Sequence, residues 1–214
     1  MPFEEKPVQR ALKRILDLVV SLVAGVMLLP VFVLIGLLIR LDSDGPILFA
    51  SDRVGGGGRI FRMFKFRSMV AGAHAMLKDL AHLNQGGEYM IKIPDDPRIT
   101  RIGGVLRKYS LDELPQLWNV VRGDMSLVGP RPQAPNEVAL YTVEQKKRLD
   151  VPAGMTGLWQ VTARTNPNFD VWVAKDIEYI ENWSLWLDLR IIVKTIKMVA
   201  LGMTFTPKVH PSEM

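Results

Sequence analysis

The chain has 214 residues, enough for one domain with a sizeable core or for a smaller domain joined to a membrane element. Its residues are 48% hydrophobic, which is high for a soluble domain, and 27 basic against 22 acidic residues leave a net charge of +5, which suits nucleic acid, an anionic membrane surface or a phosphorylated substrate. The absence of cysteine excludes disulfides and thiol ligands, and three scattered histidines, His74, His82 and His210, make no metal-site pattern.

Lys6, Arg10, Lys13 and Arg14 lead into Leu18 to Ile39, an uncharged run of 22 residues. As a straight helix it would be about 33 Å long, enough to cross a bilayer core. It is too long for a signal peptide and no small-x-small cleavage site ends it, so a retained membrane element is expected. Arg40, Arg53, Arg59, Arg62, Lys65 and Arg67 follow, so both ends are basic, where a simple span shows its cationic bias on one side. Pro30, near the middle, frees a carbonyl and bends the helix. Together these features favour a helix-break-helix over residues 1–43 that enters and leaves a membrane by the same face, with an ordinary kinked span as the alternative. Residues 44–214 then form the second unit.

Ile47 to Val54, Gly55 to Gly58 and Arg59 to Arg67 read as two extended segments around a turn. The four glycines make a weak phosphate loop, because no Gly-Lys-Ser/Thr follows. Lys65 and Arg67 alternate with Phe64 and Phe66, which puts both cations on one strand face. Val70 to Leu83 has helical spacing with a stop at Gly86-Gly87. Asp95-Asp96-Pro97-Arg98 is a turn leading to a basic segment, Ile102 to Lys108, that delivers Arg107 to a pair of acids.

Those acids are Asp112 and Glu113, directly before Leu114-Pro115. Pro115 has no N–H to give and belongs in a first helical turn, which places Asp112 at or beside the N-cap. Ser110 as N-cap would complete a capping box with Glu113 but push Pro115 too far into the helix. At the positive end of a helix both carboxylates are favoured in their ionised form, and an ionised Asp is a usable nucleophile. An isolated Ser-x-x-Glu would read as ordinary first-turn acids. Here Arg107 precedes Asp112 by five residues, and Arg131 stands in the rigid Gly129-Pro130-Arg131-Pro132 turn, its fork open to phosphate oxygens. Cations beside an anionic nucleophile point to an anionic substrate.

Glu137 to Leu149 reads as a helix introduced by Pro135-Asn136 and ended by Pro152-Ala153-Gly154. Thr156 to Val161 reads as a short extended piece in which Trp159 is a packing aromatic rather than a uracil platform. Phe169 to Asn182 is helical again, with Trp172, Ile177 and Ile180 inward. In the last element, Leu185 to Leu201, Arg190, Lys194 and Lys197 form one basic stripe at i, i+4 and i+7. Such a helix suits a membrane interface.

Arg107 to Pro132, together with Lys65-Phe66-Arg67-Ser68-Met69, Asp96-Pro97-Arg98-Ile99-Thr100-Arg101-Ile102-Gly103 and Gly154-Met155-Thr156-Gly157-Leu158-Trp159-Gln160-Val161, resembles the bacterial sugar transferase family, the monotopic polyprenyl-phosphate phosphoglycosyl transferases. The resemblance runs from about Arg10 to Gly202, nearly the whole chain. It implies an α+β, mainly α fold: a re-entrant N-terminal membrane helix broken at Pro30, and one catalytic domain with a short β-hairpin and interfacial amphipathic helices. It also implies a place at the bacterial cytoplasmic membrane with the catalytic domain facing the cytoplasm. The implied reaction moves a sugar-1-phosphate from a UDP-sugar to polyprenyl (undecaprenyl) phosphate and releases UMP. Asp112 would form an aspartyl phosphosugar, Glu113 would share in holding Mg²⁺, and Arg107, Arg131 and Lys65 would hold phosphates. Gly157-Leu158-Trp159-Gln160 and Glu181 to Leu189 resemble the hexose-1-phosphate branch, which takes glucose or galactose and often has extra N-terminal spans not found in this sequence. An N-acetylated or diamino sugar is the close alternative, and a non-catalytic membrane scaffold for glycan assembly is the alternative of another class. Expected partners are the donor, the acceptor, membrane lipid and a second copy of the chain, and no nucleic-acid motif is present. Two departures from the family pattern are Leu29, where many members carry Ser before the proline, and the all-glycine turn at Gly55 to Gly58, which lacks the usual Lys.

Overall fold

The uncharged N-terminal run folds as two helices, α1 (Pro7–Met27) and α2 (Leu29–Asp42), which meet at Leu28 with a bend of 61°. Pro30 sits in the first turn of α2, where its missing N–H is harmless, so the new helix can start there although the old one cannot continue. The computed structural model describes residues 3, 6–84, 93–166 and 168–202. Along α1 the fully buried positions are Lys13, Asp17 and Ser21, all on one helical face, while Val8, Leu12, Ile15, Val19, Leu22, Val23, Val26 and Met27 are exposed. Lys13 Nζ donates to Asp188 Oδ2 at 2.6 Å, and Asp17 Oδ1 accepts from the Leu127 N–H at 3.1 Å. The polar face of α1 is thereby bonded to the rest of the fold.

The expected hairpin is present: β1 (Leu48–Val54) and β2 (Ile60–Phe66) pair antiparallel, Leu48 opposite Phe66 and Val54 opposite Ile60. Gly57 and Gly58 close the turn at φ +67° and +73°, backbone that side chains rarely adopt. The expected helix from Val70 to Leu83 shrinks to α3 (Leu77–Leu80) with a short 3-10 extension, since Gly72 turns the chain at φ +77° and none of residues 70–84 is buried. Without a buried face, helical spacing alone does not sustain a helix. Its expected Gly86-Gly87 stop lies outside the described residues.

Next come α4 (Arg101–Lys108), whose N-cap Thr100 accepts from the Gly103 N–H at 3.0 Å, a 3-10 turn at Leu111–Glu113, and α5 (Gln116–Arg122). A short strand, β3 (Ser126–Val128), runs parallel to β4 (Gly154–Thr156), with α6 (Pro135–Val138) and α7 (Val143–Lys146) in the connection. The single helix expected from Glu137 to Leu149 is therefore broken. Thr142 starts a new one through a reciprocal cap, its Oγ1 accepting from the Gln145 N–H and its own N–H donating to Gln145 Oε1. The extended piece expected from Thr156 to Val161 ends at Thr156, and α8 (Leu158–Thr162) follows, because a short apolar run fits a buried helix turn as well as a strand. Last are α9 (Phe169–Glu181) and α10 (Leu185–Ala200), capped by Asn168 and Ser184.

The described chain is thus mainly helical, with two small two-stranded sheets. Phe61, Met63, Val120, Val128, Tyr179 and Trp183 are among the residues of the main core, and Val20, Ala24, Leu28 and Phe32 of the N-terminal pair pack against it. Ile35, Ile39, Phe66 and Leu106 form a second cluster where α2 meets β2 and α4. Burial of this apolar surface, at about 25 cal/mol per Å², joins the polar bonds of α1 in holding the N-terminal pair to the rest of the fold.

Candidate active site

Asp112 and Glu113 lie on a 3-10 turn between α4 and α5, facing the end of β2 and the chain just past β3. Ser110, at φ +51°, turns the chain sharply out of α4 in left-handed backbone. The chain then enters the 3-10 turn, and Pro115, at φ −61°, stands at the start of α5. Neither Ser110 nor Asp112 caps a helix through its side chain, which corrects the expected N-cap. Asp112 sits inside the turn and is almost fully buried.

Glu113 is gripped from two sides. Arg131, just past β3, forks onto it, Nη2 on Oε1 at 2.5 Å and Nη1 on Oε2 at 3.2 Å. Lys65, near the end of β2, donates to Oε1 at 2.9 Å and lies 3.8 Å from Asp112 Oδ2. Burial alone would raise the Glu113 carboxyl, but the charges and hydrogen bonds of Arg131 and Lys65 outweigh it and hold the group well below the usual carboxylate range. Asp112 goes the other way: burial pushes it up, Lys65 pulls it back only in part, and the Glu113 charge raises it further. The two neighbours are driven apart in acidity. For Asp112 this overturns the expectation drawn from a helix end.

Arg107 donates from Nε to Ser68 Oγ at 3.0 Å and reaches Asp112 through its charge. Arg67 departs from expectation. Instead of sharing a face with Lys65, its side chain turns to the end of α2. Asp96 and Arg98 close on each other at 2.6 Å and only the charge of Arg107 connects them to the site. Trp159 stacks on Trp172 with ring centres 4.1 Å apart, a packing role as expected.

Two arginines that the motifs did not single out also belong here. Arg164 has its pKa lowered by burial and then by the Arg131 charge, with Glu113 and Asp112 acting against both. Arg53, on β1, is lowered by burial, countered by Glu137 at 3.6 Å, and feels Arg131 and Glu113 in turn. Arg164 stands three residues after the Gly154 to Val161 motif, and its position was the signal available. The result is a buried acid pair ringed by cations. Among the described residues no cluster of three His, Cys, Asp or Glu side chains could hold a metal. Asp112 and Glu113 offer hard oxygen donors, a set that suits Mg²⁺ only when substrate phosphates complete the shell.

Comparison with known proteins gives the chain its family. The signature of the family described as "Bacterial sugar transferase" matches residues 8–202. The chain belongs to that family. It is similar to "Galactosyl transferase CpsE" of Streptococcus agalactiae, 47% identical over 192 residues that cover 89% of this chain and 42% of that protein. It is also similar to "Exopolysaccharide production protein ExoY" of Sinorhizobium fredii, 40% identical over 201 residues, covering 92% of this chain and 89% of that one. The "Undecaprenyl-phosphate galactose phosphotransferase" of Salmonella typhimurium is 42% identical over 194 residues, covering 89% of this chain and 40% of its own length. The chain therefore spans about two fifths of two of these relatives and nearly all of the third.

Proposed function

We propose that this family member transfers hexose-1-phosphate, from UDP-galactose or UDP-glucose, to undecaprenyl phosphate and releases UMP. The carrying observation is the acid pair, in which Asp112 lies buried beside a Glu113 whose two oxygens are already held by Lys65 and Arg131. In the first half-reaction an oxygen of Asp112 attacks the sugar-bearing phosphorus; the new P–O bond forms as the bond to the UMP oxygen breaks. In the second, a phosphate oxygen of the lipid attacks the same phosphorus and Asp112 departs as a free carboxylate. An anionic nucleophile and a diphosphate repel each other, so cations must face the developing charge, a role this reading gives to Lys65, Arg107 and Arg131, whose charges all reach Asp112. Burial favours the protonated Asp112, and the charges of Lys65, Arg107 and Arg131 act against it toward the carboxylate that attacks. Glu113 and Asp112 would hold Mg²⁺ together with the donor's phosphates. When bound, that ion supplies charge neutralisation at phosphate oxygens.

The same reading gives the N-terminal pair its role. Among the described residues no single helix is long and apolar enough to cross a membrane, whereas the bent pair α1 and α2 is, taken together. Lys6, Lys13 and Arg14 bond the start of α1 to Trp183, Asp188 and α5, and Asp42 at the end of α2 bonds to α4. With both ends tied to one folded unit, a re-entrant seat in one leaflet of the bacterial inner membrane follows more naturally than a span, with the site on the cytoplasmic side. On α10 the exposed Trp186, Leu189, Val193 and Ile196 lie beside the Arg190, Lys194 and Lys197 stripe, as an interfacial helix requires.

The test is UMP release by the detergent-solubilised chain given Mg²⁺, polyprenyl phosphate and a panel of UDP-sugars, beside Asp112→Asn. Turnover with UDP-galactose or UDP-glucose is expected, falling about 10³-fold or more in the variant. Undiminished release by Asp112→Asn would remove Asp112 from the mechanism, and no turnover with any donor would favour the scaffold role.

A further inference from the structure

The stretch Lys65 to Ser68 sends three polar side chains to three different places. Lys65 bonds Glu113, and Ser68 Oγ accepts from Arg107. Between them Arg67, buried, ends on the exit of α2: Nη2 donates to the Ser43 carbonyl at 2.6 Å, to Ser43 Oγ at 3.1 Å and to the Ile39 carbonyl at 3.4 Å, and Nη1 donates to the Asp44 carbonyl at 2.7 Å. The Ile39 carbonyl already accepts from the Ser43 N–H at 3.2 Å, so the short bonds of Arg67 go to the chain just leaving α2, where its cation also meets the negative end of the helix dipole. The planar fork of arginine serves several such acceptors at once.

The same exit is bonded to the helix that carries Arg107. Asp42 Oδ2 accepts from the Ile102 N–H at 3.1 Å, at the start of α4, and the Ser68 carbonyl accepts from the Thr100 N–H at 3.2 Å. Gly45 leaves room for this arrangement: at φ +122°, a Cβ there would collide with Arg67 Nη1. The end of the N-terminal pair is thus joined by short bonds to two of the elements that present site cations, the one carrying Lys65 and the one carrying Arg107.

We propose that Arg67 is a positioning residue: by clamping the exit of α2 to β2 it sets Lys65 and Arg107 for the donor's diphosphate, so the seat of the helix pair tunes the phosphate site. The kinetic consequence rests on the transferase reading given above. The clamp itself does not.

The test compares Arg67→Gln, Arg67→Lys and Gly45→Ala with the wild type and with Arg62→Gln, an exposed arginine on β2, the strand that leads to Arg67. KM for the UDP-sugar is measured by UMP release from the full chain in detergent, and backbone amide exchange is followed over residues 60–66 and 101–108. KM is expected to rise about tenfold in Arg67→Gln and Gly45→Ala and about threefold in Arg67→Lys, with Arg62→Gln unmoved, since small misplacements at a reacting centre have large effects. Exchange is expected to quicken in both segments. A smaller population of folded enzyme lowers turnover but leaves KM alone, so an unchanged KM, or faster exchange confined to residues 39–45, would reduce Arg67 to a helix cap. If the wild type releases no UMP from any donor, the reaction assignment fails, and the exchange pattern by itself decides the clamp.

Discussion

At the scale of residues, the acid pair shows how two neighbours in sequence acquire opposite chemistry. Burial acts on both, but only Glu113 receives two cations in hydrogen-bonding contact. Its depressed carboxyl contributes stability that is complete above its ordinary value of 4.5 and is lost as the pH falls through its lower folded value. Glu113→Gln cannot hold Lys65 and Arg131 together, so UMP release should drop about 10²-fold, and its acid unfolding should lack that component, as melting curves at descending pH would show. For Asp112 the raised carboxyl places the acid limb of the rate above 3.8, the ordinary aspartate value, and a pH profile of single-turnover UMP release reads it directly. The dyad, Arg131 and Lys65 were legible from motif and resemblance. The acidity of Asp112 was not, because a helix end is a local property and burial comes from distant segments. Arg53 and Arg164 were hidden for the same reason.

At the scale of elements, two extended segments around a glycine turn located the hairpin, and apolar spacing located α9 and α10, because those signals are local. The region from Glu137 to Leu149 was misread because its break depends on the reciprocal Thr142 and Gln145 cap, which periodicity does not report. What orders this region is a buried pair across elements: Arg148 donates to Asp176 Oδ2 on α9 at 2.8 Å, to the Tyr141 hydroxyl, and to the Arg131 carbonyl at 3.4 Å. The arginine that grips Glu113 is therefore steadied from behind. Burial pushes the Asp176 carboxyl to about 6 against the pull of Arg148. The cost of burying its charge is full above about 6 and is relieved as the pH falls toward the ordinary 3.8. Asp176→Asn removes that pH dependence, yet at neutral pH it strands Arg148 and should destabilise the fold by about 3 kcal/mol, measurable by denaturant unfolding.

At the scale of the whole molecule, the 22-residue uncharged run led to the expectation of a membrane element, but the bent shape of the pair depends on bonds that no run of hydropathy encodes. Lys13 on Asp188 and Arg67 on the end of α2 tie both ends of the bent pair to one body. Apolar burial in lipid resists screening, whereas attraction to headgroups does not. Salt at about 1 M, where charges are screened beyond about 3 Å, should leave the protein on membranes, and detergent should release it. Release by salt alone would point to a peripheral seat. On the proposed seating the opposite leaflet never meets this protein. Under the proposed reaction the lipid-linked product stays in the leaflet where it is made, and crossing to the other leaflet is a separate step.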